Sequence, residues 1–383
     1  MQKIGILLPR SSYYNSIGFD MFEGLRAGLD KSGHGDVKIV TENIGFGADR
    51  QQVYRSAEKL LLEENAGIIL AYVGHRTAQM LRPLFMSANR LLIVLDAGAN
   101  LPQEWPVSPN MLYHSLHNSL GAYLAGRRAF HDGFVKGGMV SNYYDGGYLH
   151  IVGITNGFAD SGGAICFNHA TGHTPGEFKL DPLADHLKQY PDACLLPVFS
   201  GDFNEWFFRD MKALFPEKLP PMYVPPFAFE EMMLSNAVYP GDTVRGIAAW
   251  SKDLENAANK TFTAAITEAG REANLFSLLG WEGAFLAVEA LAKMKEHKNN
   301  ARSAGDQLKA FRFQSPRGEI YFASETNTTL SPMYEAHLED DGTGHCRLKI
   351  TGDAKEVAEA YSAMTAASLD NAISGWFNSY TCN

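Results

Sequence analysis

Residues 67–100 read GIILAYVGHRTAQMLRPLFMSANRLLIVLDAGAN. Gly67–Val73 is an apolar run of strand length. It leads through Gly74-His75-Arg76-Thr77 into a helical stretch, Thr77–Ala88, and Leu91–Leu95 is a second apolar run. Strands that are apolar throughout have no face for water, so they belong in a parallel sheet covered by helices on both sides. Working back to the start of the chain, Lys3–Leu8 reads as a strand and Gly18–Lys31 as a helix with Phe22, Leu25 and Leu29 on one face. Val37–Thr41 reads as another strand. Asp49 opens a further helix, with Gln52 as its capping-box partner and an apolar stripe of Val53, Ala57, Leu60 and Leu61. This β-α-β-α order predicts a doubly wound α/β unit.

Working forward, the pattern restarts. Ser119–His131, Tyr148–Ala159, Leu183–Tyr190 and Glu205–Leu214 read as helices. They alternate with strands at Gly137–Ser141, Ala164–Phe167, Ala193–Phe199 and Met222–Val224. The fold class is therefore α/β, with two doubly wound parallel-sheet lobes. After residue 245, helices at Leu254–Ala269 and Leu275–Lys293 precede strands at Glu319–Phe322, Met333–Leu338 and Cys346–Ile350, then a closing helix over Ala354–Phe377. These late segments hold no third βαβ domain and are expected to complete the two lobes. Tyr13-Tyr14 and Tyr143-Tyr144 follow the first strand of each half, and ligands of open α/β sheets bind at strand carboxyl ends. Both doublets are expected to face one cleft.

The 383 residues carry a net charge of −10, with 45% apolar and 20% charged residues and no basic run. Nucleic-acid binding, which needs clustered cations, is excluded. No stretch of 18 or more apolar residues is present to span a membrane. Met1-Gln2-Lys3 leads directly into the short run Ile4–Leu8, which is not a secretory signal. Either the protein is cytoplasmic or the sequence starts at a mature domain. Cys166 and Cys194 sit in strand-like runs as buried free thiols, and Cys346 and Cys382 could pair only in an oxidising compartment.

No nucleophile elbow, zinc motif, Walker A loop or dinucleotide fingerprint occurs, and no carboxylate pair stands out as acid and base. No cofactor or metal is expected. The closest histidines, His169 and His173, fall in a segment broken by Gly172 and Pro175 and read as solvated loop residues. The strand-end loops carry more. In Gly74-His75-Arg76-Thr77, Thr77 can cap the following helix, whose free N–H groups suit an anionic group. In Asp96-Ala97-Gly98-Ala99-Asn100, small residues let backbone approach a ligand. Tyr13, Tyr14, Tyr143, Tyr144, Phe227, Phe229 and Trp250 crowd the same ends, as pocket walls do. The plain alternative is ordinary turns and core aromatics.

At these residues the sequence resembles the type 1 periplasmic binding proteins, in the leucine/isoleucine/valine-binding group of ABC transporter receptors. Gly18-Phe19-Asp20-Met21-Phe22-Glu23-Gly24-Leu25-Arg26 is similar to that group's G-x5-G-x-R stretch. Val73-Gly74-His75 is similar to its I-G-H strand end, and Leu95–Asn100 to its S-P-G-A-T-N loop. Ser315-Pro316-Arg317-Gly318-Glu319-Ile320-Tyr321-Phe322 is similar to its late strand before a crossover. The resemblance runs from residue 3 to about 340 and does not cover the end of the chain.

It implies two lobes joined by three crossovers, one from 1–117 plus 249–328 and the other from 118–248 plus 329–383. It also implies hinge closure on a small molecule, docking to a membrane permease, and a periplasmic or extracellular location. Carried over, Thr77, Ala97, Gly98, Ala99 and Asn100 hold the ligand's carboxylate and ammonium from the first lobe, with His75 and Arg76 beside them. Tyr143, Tyr144, Asp145, Ser200 and Asp202 close from the second. Two departures stand out. The serine-rich loop is shortened to Arg76-Thr77, and Val224-Pro225-Pro226-Phe227 lacks the family's acidic residue, leaving Asp145 or Asp202 as an ammonium partner. The expected role is binding of an amino acid or similar small carboxylate or amide. Its rival is a ligand sensor of the same fold that regulates a signalling partner; an enzyme is disfavoured.

Overall fold

The apolar runs at the front of the chain pair as parallel strands. A computed structural model describes residues 3–101, 107–172, 174–234, 236–323, 325–367, 376 and 378–381. In chain order, β1 (Lys3–Leu8), α1 (Ile17–Lys31), β2 (Lys38–Asn43), α2 (Arg50–Leu62), β3 (Ile68–Tyr72), α3 (His75–Ala88), β4 (Leu91–Asp96) and β5 (Met111–Ser115) come first. Next are α4 (Asn118–His131), β6 (Lys136–Asn142), α5 (His150–Asp160), β7 (Ala164–Thr171), α6 (Asp181–Gln189), β8 (Cys194–Val198), α7 (Asp202–Leu214), β9 (Met222–Val224), α8 (Glu231–Leu234) and β10 (Val244–Ala248). The chain continues with α9 (Ala257–Glu268), α10 (Leu275–Glu296), α11 (Ala301–Leu308), β11 (Phe313–Ser315), β12 (Gly318–Ala323), β13 (Thr328–Leu330), β14 (Tyr334–Asp340), β15 (Cys346–Asp353) and α12 (Val357–Ala366).

Two sheets result. The first has the strand order β11-β12-β13-β5-β4-β3-β1-β2, and the second β15-β14-β10-β9-β8-β6-β7. Each sheet defines a lobe. In the first, Ile4, Ile6, Ile68 and Leu70 pack toward α1 and α10, while Leu7, Ile69 and Ala71 pack toward α2 and α3. This is the two-sided burial expected of strands without a polar face. The late strands depart from the all-parallel expectation: β12 runs antiparallel to β11 and β13, and β14 antiparallel to β10 and β15. The turns β11–β12 and β14–β15 are too short for a crossover, and only antiparallel strands can be joined that way.

The stretch Gly18–Arg26 has a packing reason. A Cβ at Gly24 would lie 2.0 Å from the Ser277 carbonyl oxygen, so α1 and α10 approach backbone to backbone. By length and composition α10 could cross a bilayer, but it is largely buried in the first lobe's core.

Several expectations need correcting. Asp49 does cap α2, accepting from the amides of Gln51 and Gln52, but the Gln52 side chain donates to the Asn43 carbonyl instead of closing a capping box. The helix expected over Ala354–Phe377 is helical only through Ala366 among the described residues, and Trp376 and Asn378–Thr381 are not helical. Cys166 is half-buried, Cys194 and Cys346 are buried free thiols, and Cys382 lies outside the described residues. His169 sits on β7, its Nε2 against the Lys179 carbonyl, and His173 lies outside the described residues.

Within the first lobe, a buried ion cluster ties the β11–β12 hairpin to α10 and β5. Arg317 donates to both Glu282 oxygens at 2.9 Å, and His114 Nε2 lies 2.7 Å from the same carboxylate. Ser315 Oγ donates to it at 2.5 Å, and Arg317 also bonds the Ser115 carbonyl at 3.0 Å. Burial pushes Glu282 up, but Arg317 and His114 outweigh it and hold the carboxyl at about 2. One cluster thus joins α10, β5 and the β11–β12 turn. Removing one partner strands the other charge in the core, so Glu282→Ala is expected to cost about 3–5 kcal/mol in urea unfolding. Glu319→Ala, at an exposed ion pair with Arg312, should cost under about 1 kcal/mol.

Candidate functional site

The loops after β1, β6, β8 and β9 meet between the lobes, where strand carboxyl ends face each other. Ser11 Oγ accepts from the amides of Tyr13 and Tyr14, at 3.2 and 3.0 Å, and turns both rings into the gap. Tyr13 donates to Asp202 at 2.5 Å at the rim, and Tyr14 donates to Glu230 at 2.7 Å in the interior. Both bonds cross from the first lobe to the second. Gly201 has φ +57°, and a Cβ there would lie 2.7 Å from the Tyr13 ring, so only glycine permits this approach.

The second lobe's floor is built on Asp145. Its carboxylate accepts from Asn142 Nδ2 at 2.8 Å, Ser200 N at 3.0 Å and Ser200 Oγ at 2.6 Å, tying the end of β6 to the end of β8. Burial raises Asp145 to about 6 in spite of these bonds. Glu230, fully enclosed, rises to about 7, with the hydroxyls of Tyr380 and Tyr14 working against burial.

These groups enclose a cavity of about 300 Å3. Its walls are aromatic: Tyr13, Tyr14, Tyr144, Tyr148, Phe203, Trp206, Phe227 and Tyr380. Its polar members are Asn118, Asp145, His150, Ser200, Asp202 and Ser379, and no Lys or Arg lines it among the described residues. His150 lies 4.3 Å from the Phe227 ring, and burial lowers it to about 3, so it is neutral. Among the described residues, His150 Nδ1 and Asn118 Oδ1 are buried with no hydrogen-bond partner. Two such orphans in one cavity mark a place where another molecule completes the bonding.

Of the residues expected from sequence, Tyr13, Tyr14, Tyr144, Asp145, Ser200, Asp202 and Phe227 line the cavity. Tyr143 does not: it is 71% exposed, its ring edge-on to Trp376. The first-lobe loops after β3 and β4 are also absent from the wall. The N-cap of α3 is Gly74, not Thr77, which is buried. His75 turns away to Asp96 at 3.0 Å and to the Tyr113 ring, and Arg76 does not line the cavity. The carbonyls of Ala97, Gly98 and Ala99 accept from the amides of Asn118, Ser119 and Leu149, so this loop caps the starts of α4 and α5. Asn100 donates to the Trp376 carbonyl at 3.4 Å. Phe229 and Trp250 belong to the cores, Trp250 donating to Asn259. Sequence reading missed Asn118, Tyr148, His150, Phe203, Trp206, Glu230, Ser379 and Tyr380. Only Glu230-Glu231, directly after the aromatic loop, carried a signal, as an acid near a strand end.

Both buried acids bind protons more tightly folded than unfolded. Glu230's contribution to stability is full below its ordinary 4.5 and is lost as the pH rises through about 7. His117 and His150, lowered by burial, titrate with the opposite sign, so the comparison is between variants. The melting temperature of Glu230→Gln relative to the unmodified protein is expected to rise by several degrees from pH 5 to pH 8 in differential scanning fluorimetry.

The family model described as periplasmic binding protein matches residues 1–343. A solute-binding protein of an ABC transporter from Rhodopseudomonas palustris BisB5, solved with 3,4-dihydroxybenzoic acid, superposes with a TM-score of 0.72 at 19% identity, covering 92% of this chain and 96% of that one. An ABC transporter substrate-binding protein from Sphaerobacter thermophilus gives 0.77 at 17% identity, covering 92% and 97%. An ABC-type branched-chain amino acid transporter protein from Rhodopseudomonas palustris CGA009 gives 0.73 at 14%, covering 93% and 97%. No curated protein matches the chain in sequence.

Proposed function

The chain belongs to the periplasmic binding protein family, and from that premise we propose that it is a solute-binding protein of an ABC importer, closing its lobes on one small molecule between Tyr13, Trp206 and Phe227. In this reading the lobes are 1–117 plus 249–328 and 118–248 plus 329–383. The protein works outside the cytoplasmic membrane, hands its solute to a permease, and catalyses nothing. Asp145, the best-buried carboxylate on the wall, is bonded to Asn142 and Ser200 and serves as floor, not as a proton carrier.

The observation that carries the reading is the cavity itself, which crosses from lobe to lobe and holds the orphaned Asn118 Oδ1 and His150 Nδ1. Its chemistry narrows the solute. Aromatic walls favour a flat ring by stacking and edge contacts. The wall offers acceptors in two carboxylates and the unpartnered Asn118 Oδ1, and His150 Nδ1 is free to accept or donate. With no cation on the wall, the preferred partner is a donor on the solute, a phenolic hydroxyl, an amide N–H or an ammonium, ahead of a bare carboxylate. That two of the compared proteins are solved or titled with a dihydroxybenzoate and branched-chain amino acid transport supports ligands of this size.

Thermal-shift titrations with 4-hydroxybenzamide, phenol, tyramine, benzoate and leucine test this. The ring compounds with a donor are expected to raise the melting temperature by several degrees, since binding the folded state alone adds RT ln(1 + [L]/Kd). Phe227→Ala should weaken that binding about two- to tenfold, the loss of one aromatic contact of about 0.5–1.5 kcal/mol. A response to leucine alone contradicts the proposed solute class.

A further inference from the structure

Trp376 and Asn378–Thr381, outside the region matched by the family model, lie in the cleft. Tyr72, the last residue of β3, donates its hydroxyl to the Ser379 carbonyl at 3.1 Å, and Asn378 Nδ2 donates to the Tyr72 carbonyl at 3.3 Å. From the other lobe, Tyr148 donates to the Asn378 carbonyl at 3.2 Å. Trp376 Nε1 donates to the Tyr144 carbonyl at 2.7 Å while its ring stacks on Tyr144. Tyr380 goes deepest. It is 8% exposed, its hydroxyl accepts from Asn118 at 2.9 Å, and its ring stands edge-on to Tyr14 and Phe276 at 5.2 and 5.5 Å.

Resting on the reading of the cavity as a solute site, we propose that Asn378–Thr381 is a built-in wall of that site and that Tyr380 sets the size of solute it accepts. The segment covers the first-lobe strand end at Tyr72, and what is left beside it is the cavity of about 300 Å3, lined in part by Ser379 and Tyr380. A plug would fill the space a solute needs. This segment instead leaves that space open and faces it with two of its own residues. Its polar groups are matched to both lobes, so removing it exposes Asn118 Nδ2 and the Tyr72 hydroxyl without partners. A Tyr380→Ala change therefore joins the volume of one phenol ring to the cavity.

The test uses the full chain and its Tyr380→Ala and Tyr380→Phe variants. Hydrogen exchange on the solute-free protein reads whether the segment is seated, and calorimetric titration with 4-hydroxybenzamide and 2-naphthol reads the size of the site. Protection of residues 378–381 is expected, with the ratio of 2-naphthol to 4-hydroxybenzamide affinity rising at least tenfold in Tyr380→Ala and unchanged in Tyr380→Phe. Full exchange of 378–381 overturns the wall and leaves the solute site standing. Equal gains for both compounds in Tyr380→Ala would make the segment a plug and overturn the proposal. A protected segment with neither compound bound by any of the three proteins overturns the solute reading, and the wall with it.

Discussion

Glu230 is a carboxyl group with almost no water, and the fold meets that cost by bringing three separate pieces of chain to it. Tyr14 comes from the loop after β1, Tyr380 from the end of the chain, and Glu230 itself from the loop after β9. Burying an acid without partners is expensive. Its Oε2 accepts from Tyr14 only when the lobes are together, and its Oε1 is buried without a hydrogen-bond partner among the described residues. Burial raises Glu230 toward neutrality, and the Tyr14 bond that works against it joins the two lobes beside the aromatic cavity.

Two of the buried acids, Glu282 and Glu230, divide the work. Glu282 is bracketed by Arg317 and His114 and stays ionised, fastening the β11–β12 hairpin to α10 and β5. Glu230 has hydroxyl partners and no cation bonded to it, so its charge is poorly supported and its bonds are the ones hinge opening can break. A structural acid and a closure acid are told apart by their partners.

The fold was legible because apolar periodicity is a local property. Lys3–Leu8 was readable to the residue, and α10 differs from its expected span only in the last turn. Strands β5 and β10 and helix α11 were not read: β5 carries His114 and Ser115, whose polarity makes sense only beside Glu282 and Arg317 far along the chain. Half of the site was legible by the same logic, since Tyr13, Asp145 and Ser200 follow strands and face the gap. The other half was not. Ala97–Ala99 looked like ligand-binding backbone, but their carbonyls are spent on α4 and α5. Asn118 and His150 are ordinary first residues of helices until Tyr380 and Phe227 cover them. Tyr380 depends on where the tail is laid.

The central claim is that a small ring-bearing solute sits between the lobes with the Tyr13–Asp202 and Tyr14–Glu230 bonds closed around it. A crystal structure of the complex with 4-hydroxybenzamide tests it most directly. Ring density is expected between Trp206 and Phe227, with a solute donor within hydrogen-bond distance of Asn118 Oδ1 or Asp145 and both tyrosine bonds intact. Density for the compound at His75 and Asp96, with the aromatic cavity unfilled, would contradict it.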